Sequence, residues 1–383
     1  MRNAYALKFL IEFVSGIFWT ANVSSLMKTG HTLADSALIM AGYYFAIAVF
    51  EVPTGMIADR YGRRKSVIAG LGLVSSGFLG LYAGFSIVSA GLAGIGFTLI
   101  SGAFTAWIYN LAEATSKIFD PTDFFLKFDI FGRLAMIAGA FSGAITLKLS
   151  PASLWLLLSL ASFAALALAL KTPPGSTDLA TKNSHREISG VSKLATNTPL
   201  LLLLLSVLFF GFEQGIRNTI YQPFVLSLRG GNEMFLAYWQ AGLAFARLAG
   251  LLFYRHLLKE KFKGYGLAAI ALLGLAVTEF IAGFSTNFWL IWGLWLSAVF
   301  AIGWFFPLKD ALLNSLASER NRATVISLDS MLFQLGSAVT CLMLWATLGE
   351  STFQTYWVIA SLLLSISVGL FYFVGVKPVL GRH

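Results

Sequence analysis

Glu213, Gln214, Arg217, Asn218, Tyr221 and Gln222 follow one another along a single apolar stretch that meets Pro223 at its far end. Steps of three and four residues place such groups along one stripe of a helix. In hydrocarbon, a polar stripe calls for water or a ligand beside it. A carboxylate in that setting binds and releases a proton as its surroundings change. A guanidinium offers a planar donor fork to a carboxylate or phosphate. Arg247, in the next apolar stretch, supplies a second fork, so Arg217 and Arg247 form a candidate anion-binding pair. Arg217 also lies one turn after Glu213, where a static ion pair within the helix is the competing reading.

Glu12 is the other candidate proton carrier, 201 residues before Glu213. Its alternative role is a bond to Lys8, four residues earlier. Arg133 follows Asp129 by one turn and reads as a structural pair, while Glu279 and Asp329 read as snorkelling or capping residues. Many of the aromatic residues belong at lipid or at the interface. Trp19 and Trp107 are the candidates for a substrate-facing wall.

These groups sit in a chain that is 57% hydrophobic and only 12% charged, a balance that water-soluble domains do not show. Apolar spans fall near 5–27, 36–58, 66–84, 87–112, 125–147, 152–171, 199–226, 234–254, 265–284, 288–311, 323–347 and 353–376. Each is long enough to cross a bilayer as a helix, and none alternates as a barrel strand does. The fold class is therefore all-α integral membrane, with twelve transmembrane helices. Residues 172–197 carry Pro173, Pro174, Gly175 and a polar run, the composition of a linker. They divide the chain into six-helix bundles at 1–171 and 198–383. At the Glu12–Glu213 offset, Lys28 also meets Arg229 and Gly30 meets Gly231, so the bundles read as pseudo-symmetric copies.

Lys and Arg concentrate in alternate loops, including Arg60–Lys65, Lys117, Lys171–Lys193, Arg255–Lys263, Arg320 and Lys377, against Lys28, Lys148 and Arg229 in the others. By the positive-inside rule both termini are cytoplasmic. Short loops suggest a bacterial inner (cytoplasmic) membrane. The net charge of +9 is spread between apolar spans and makes no nucleic-acid face. Cys341 is alone, which excludes an intramolecular disulfide. His31, His185, His256 and His383 lie outside the spans without metal-binding spacing, and no phosphate-cradling loop is present. An enzyme, a metal site and a cofactor are therefore not expected.

The loop after the second span runs Gly55-Met56-Ile57-Ala58-Asp59-Arg60-Tyr61-Gly62-Arg63-Arg64-Lys65, preceded by Glu51, Pro53 and Thr54. It resembles the signature loop between helices 2 and 3 of the major facilitator superfamily (MFS). The resemblance implies two bundles working by alternating access, and implies that Glu51, Gly55, Asp59, Arg60, Gly62 and Arg63 form a conformational latch, with Asp59 accepting from a helix start near Arg322–Ser327. The basic run also has a plainer use in enforcing topology. Span 4 lacks the arginine motif of the drug-antiporter subgroups, and span 5 has Gly132, Gly139 and Gly143 without their proline. The expected function is secondary transport of a small-molecule substrate by a monomer in the lipid bilayer, with protons as the coupling ion. Export of amphiphilic, drug-like compounds is the first expectation, and proton-coupled transport of an organic anion or metabolite the second. A membrane-embedded enzyme or a transporter-like receptor without flux are the remaining alternatives.

Overall fold

The computed structural model describes residues 2–115, 121–174, 197–258, 265–317, 322–348 and 352–376. The linker from 175 to 196 and the basic residues Lys117, Arg320 and Lys377 lie outside them, as do His185 and His383. Among the described residues there are twelve long helices and no strand: α1 Arg2–Lys28, α2 Leu33–Tyr61, α3 Arg63–Tyr82, α4 Ser86–Thr115, α5 Pro121–Leu149, α6 Ser153–Lys171, α7 Thr198–Leu228, α8 Met234–Phe253, α9 Gly266–Ala282, α10 Phe288–Leu316, α11 Arg322–Thr347 and α12 Phe353–Gly375. One π-helical turn, Tyr254–Leu258, extends α8. Eleven of these are long and apolar enough to cross a membrane, and α9 is a shorter apolar helix. At about 1.5 Å per residue, α9 is roughly 25 Å long, close to the hydrocarbon thickness.

Two compact units are present, one built on Met1–Arg186 with Leu236–Ala241, the other on Glu187–Phe235 with Gly242–His383. In the first, α1 packs on α5 and α6, α3 on α4 and α6, and α2 on α4. In the second, α7 packs on α11 and α12, and α9 on α10 and α12. Large apolar side chains such as Phe163, Leu160 and Phe245 stand exposed on the outside of the helices, which suits lipid and not water.

Small residues let the backbones approach. A Cβ at Gly16 would collide with the carbonyl of Met136, and one at Gly139 with that of Phe13, joining α1 to α5. A Cβ at Gly211 would collide with the carbonyl of Phe333, and one at Gly336 would come within 2.5 Å of that of Leu208, joining α7 to α11. These two seams have one geometry. They share one spacing, and the Thr20 and Thr219 hydroxyls, which donate to the carbonyls of Gly16 and Gly215, equate those two glycines and set Arg217 opposite Phe18.

The sequence alignment of Glu12 with Glu213 is therefore shifted by two positions. Matching charges suggested it, but the threonine bonds to the two glycine carbonyls fix the register. A second marker fixes α3 against α9. Ser159 of α6 donates to the Ser75 carbonyl at 2.9 Å, and Ser361 of α12 donates to the Ala276 carbonyl at 2.8 Å. Hence Phe78 corresponds to Glu279, and Trp155 to Trp357.

Candidate functional site

All six polar residues of the sequence stripe lie on α7, which continues through Pro223 to Leu228. Glu213 is fully buried, as are Gln222 and Thr219. Arg217 Nε donates to Glu213 Oε1 at 2.6 Å, and its terminal nitrogen donates to Gln214 Oε1. The guanidinium lies 5.9 Å from the Trp295 ring of α10. Gln222 Nε2 donates to the Tyr221 hydroxyl at 3.2 Å. Asn218, one turn above Gln214, is buried on the same helix.

Glu279 of α9 joins this group, a residue whose partner was not visible from its own helix. Its Oε1 lies 4.0 Å from Arg217 Nε, and its side chain is 0% exposed. Glu213 Oε2 and both carboxylate oxygens of Glu279 are buried without a hydrogen-bond partner among the described residues. Two carboxylates thus face one guanidinium in a setting walled by Trp295 and Trp357, whose rings meet edge to face at 5.2 Å. The Arg217 guanidinium therefore has its counter-charge within the same group of helices. Arg247 lies elsewhere in the unit, its guanidinium 4.7 Å from the Phe306 ring.

A second buried ion pair links α10 to α11. Lys309 Nζ donates to Asp329 Oδ2 at 2.5 Å and lies 3.1 Å from the exposed Asp310. Lys309, near the end of the apolar span 288–311, is only 5% exposed. Asp329, read from sequence as snorkelling or capping, serves as its counter-ion.

In the first unit, Glu12 accepts from Lys8 Nζ at 2.6 Å, with both side chains partly exposed. Arg133 pairs with Asp129 at 3.5 Å. Trp19 stacks on Tyr44 at 6.5 Å and meets Phe18 edge to face at 4.9 Å. Phe18 in turn meets the rings of Tyr43, Phe78, Phe97 and Trp155. Trp107 is fully buried and donates from Nε1 to the Pro173 carbonyl at 3.2 Å. It holds the root of the linker segment, a structural use that its aromatic character alone did not reveal.

In the signature loop, Gly62 joins α2 to α3 at φ +99° and donates to the Ala58 carbonyl at 3.1 Å. That left-handed geometry favours glycine. Glu51, Gly55, Asp59 and Arg63 are half-buried around the junction, and Arg60 lies exposed with its guanidinium 5.4 Å from the Tyr61 ring. Arg64 has the most defined role. Its Nε donates to the Thr172 carbonyl and a terminal nitrogen to that of Leu170, both at 2.8 Å. These bonds satisfy carbonyls left open at the end of α6.

A family model described as Major Facilitator Superfamily matches residues 4–276. Crystal structures of the nucleoside transporter NupG are similar to the chain. A single-site variant gives a TM-score of 0.78 at 14% identity, covering 97% of this chain and 98% of that one. NupG itself gives 0.76 at 13%, covering 96% and 98%. A D-xylose-proton symporter gives 0.70 at 16%, covering 97% and 96%. At these identities the likeness is one of fold. No curated protein matches the chain.

Proposed function

The chain belongs to the major facilitator superfamily, and we propose that this multi-pass membrane transporter couples proton movement to that of a small polar organic solute by alternating access. The observation that carries the reading is the Glu213–Arg217 pair, fully buried on its carboxylate side within a polar stripe of α7. An ionisable pair in a membrane helix is costly unless it serves a pathway or a switch. Glu12, paired with Lys8 and partly exposed, has less reason to titrate during a cycle and is left out of the coupling group.

Substrate contacts in this proposal come from Gln214, Asn218, Tyr221 and Gln222 on α7. Similar solved structures are a nucleoside transporter and a xylose–proton symporter, which favours a polar metabolite. Export of amphiphilic compounds is the second reading, favoured by the density of rings around Trp19. An organic anion would engage Arg247. The signature loop from Glu51 to Arg63 acts as the conformational latch. Residues 1–171 and 198–383 are the moving bundles, joined by a cytoplasmic linker at 172–197, with both termini cytoplasmic.

Internal pH in sealed vesicles holding the purified protein tests this directly. Uridine, D-xylose, tetraphenylphosphonium and benzoate are added in turn under an imposed proton gradient. Proton movement with uridine or xylose is the expected result. A response to tetraphenylphosphonium alone selects the amphiphile reading, and one to benzoate alone the anion reading. Solute flux without proton movement overturns the coupling.

A further inference from the structure

We propose that Glu279 completes a one-proton site with Glu213 and Arg217, and that the proton exchanged during transport sits on Glu279. The inference rests on the proton-coupled reading above and assigns the group that does the coupling. Glu279 has no counter-ion on its own helix, because α9 carries no other charged residue. It is 0% exposed, and neither of its carboxylate oxygens has a hydrogen-bond partner among the described residues. A charge held that way, away from water and without donors, is among the costliest arrangements a protein interior can contain.

Charge counting gives the remedy. Around the site, α7 contributes Glu213 and Arg217 as its only charged residues. No charged residue occurs on α12, which packs on α9. The other helix packed on α9 is α10, and its charged residues, Lys309 and Asp310, belong to the separate pair with Asp329. One guanidinium therefore faces two carboxylates. Glu213 holds it at 2.6 Å, and Glu279 stands at 4.0 Å. Two like charges crowded onto one cation favour protonating one of them, and the more distant carboxylate is the one that gains least from staying ionised. Its O–H then has an acceptor of the right kind in the site, the unpartnered Oε2 of Glu213.

Packing alone does not ask for this arrangement. The first-unit positions equivalent to Arg217 and Glu279 hold Phe18 and Phe78, whose rings meet at 5.7 Å. The step is a reversible proton transfer, carboxylic acid to carboxylate and free proton, with no other bond made or broken. Loading leaves the three groups neutral in sum, and release leaves them with one negative charge. The site's charge thus changes with occupancy, as a coupling group requires.

Infrared difference spectra of the purified full-length protein in lipid, compared in H2O and D2O, read the carbonyl stretch of protonated carboxylic acids. Wild type is expected to show such a band near neutral pH and to lose it on alkaline titration. Glu279→Gln is expected to lack the band and to melt no lower than wild type, because the amide mimics the neutral acid. Glu213→Gln is also expected to lack it, since the remaining carboxylate then pairs with Arg217. The same band surviving in E279Q, or absent from wild type, overturns the proposal. If E279Q does not fold, the E213Q spectrum decides, and a band retained there overturns it. Failure of the transport reading looks different: the wild-type band is present and titrates, yet no solute in the vesicle panel moves protons.

Discussion

Phe18, Phe78 and Trp155 meet in the first unit, with ring centroids between 5.7 and 6.5 Å apart. At the equivalent places in the second unit stand Arg217, Glu279 and Trp357. The frames around the two triads are alike, with glycines seated on carbonyls between α1 and α5 and between α7 and α11, and serines bonded to carbonyls between α3 and α6 and between α9 and α12. The comparison separates scaffold from chemistry. Backbone seams are the same in both units, while the side chains they position are aromatic in one and ionisable in the other. The proposed coupling asks for a single titrating centre, and the ionisable side chains of the second unit supply the candidates for it.

The strongest way to break this asymmetry is to remove its cation. Arg217→Met leaves Glu213 and Glu279 facing each other without a counter-ion. Loss of one partner from a buried pair costs about 3–5 kcal/mol, so thermal unfolding in detergent is expected to show the largest drop of any variant considered, with Arg217→Lys recovering part of it. The shared scaffold is sharpened by Gly16→Ala and Gly211→Ala. Both press a methyl group against a facing carbonyl, and overpacking costs about 1–3 kcal/mol. Similar losses in the two units are expected, and a harmless change at one with a severe one at the other would contradict the likeness of the two seams.

Arg64 probes a place where the units differ at their ends. The equivalent of Arg64 in the second unit is Tyr265, which packs against Gly375. Arg64→Met gives up the hydrogen bonds to the end of α6, at about 1.5 kcal/mol for a half-exposed charged donor, and melting should fall accordingly. Glu12→Gln is expected to do least. A partly exposed pair within one helix contributes about 0.3–0.5 kcal/mol, and proton movement in vesicles should continue unchanged.

The twelve helices were legible because each needs its own apolar run, and composition sets helix length against bilayer thickness. The Glu213–Arg217 and Lys8–Glu12 pairs were legible too, since partners one turn apart are visible in spacing. Glu279 and Asp329 were not, because Arg217 and Lys309 reach them from other helices and no local pattern records that. The register of the two halves was misread where charges were matched. It is written instead in glycines whose carbonyls take a threonine hydroxyl, a use that appears only when the bond is in view. Trp107 shows the same limit: a tryptophan in a span has one spelling whether it faces a solute, lipid or the carbonyl of Pro173.

Accumulation of the solute that responds in the vesicle panel, driven by an imposed proton gradient and compared between wild type and Glu213→Gln, tests the central claim most directly. The account requires that wild type concentrate the solute, that reversing the gradient reverse the flux, and that E213Q inserted at equal density concentrate none. Gradient-driven accumulation persisting in E213Q would place the coupling elsewhere and contradict it.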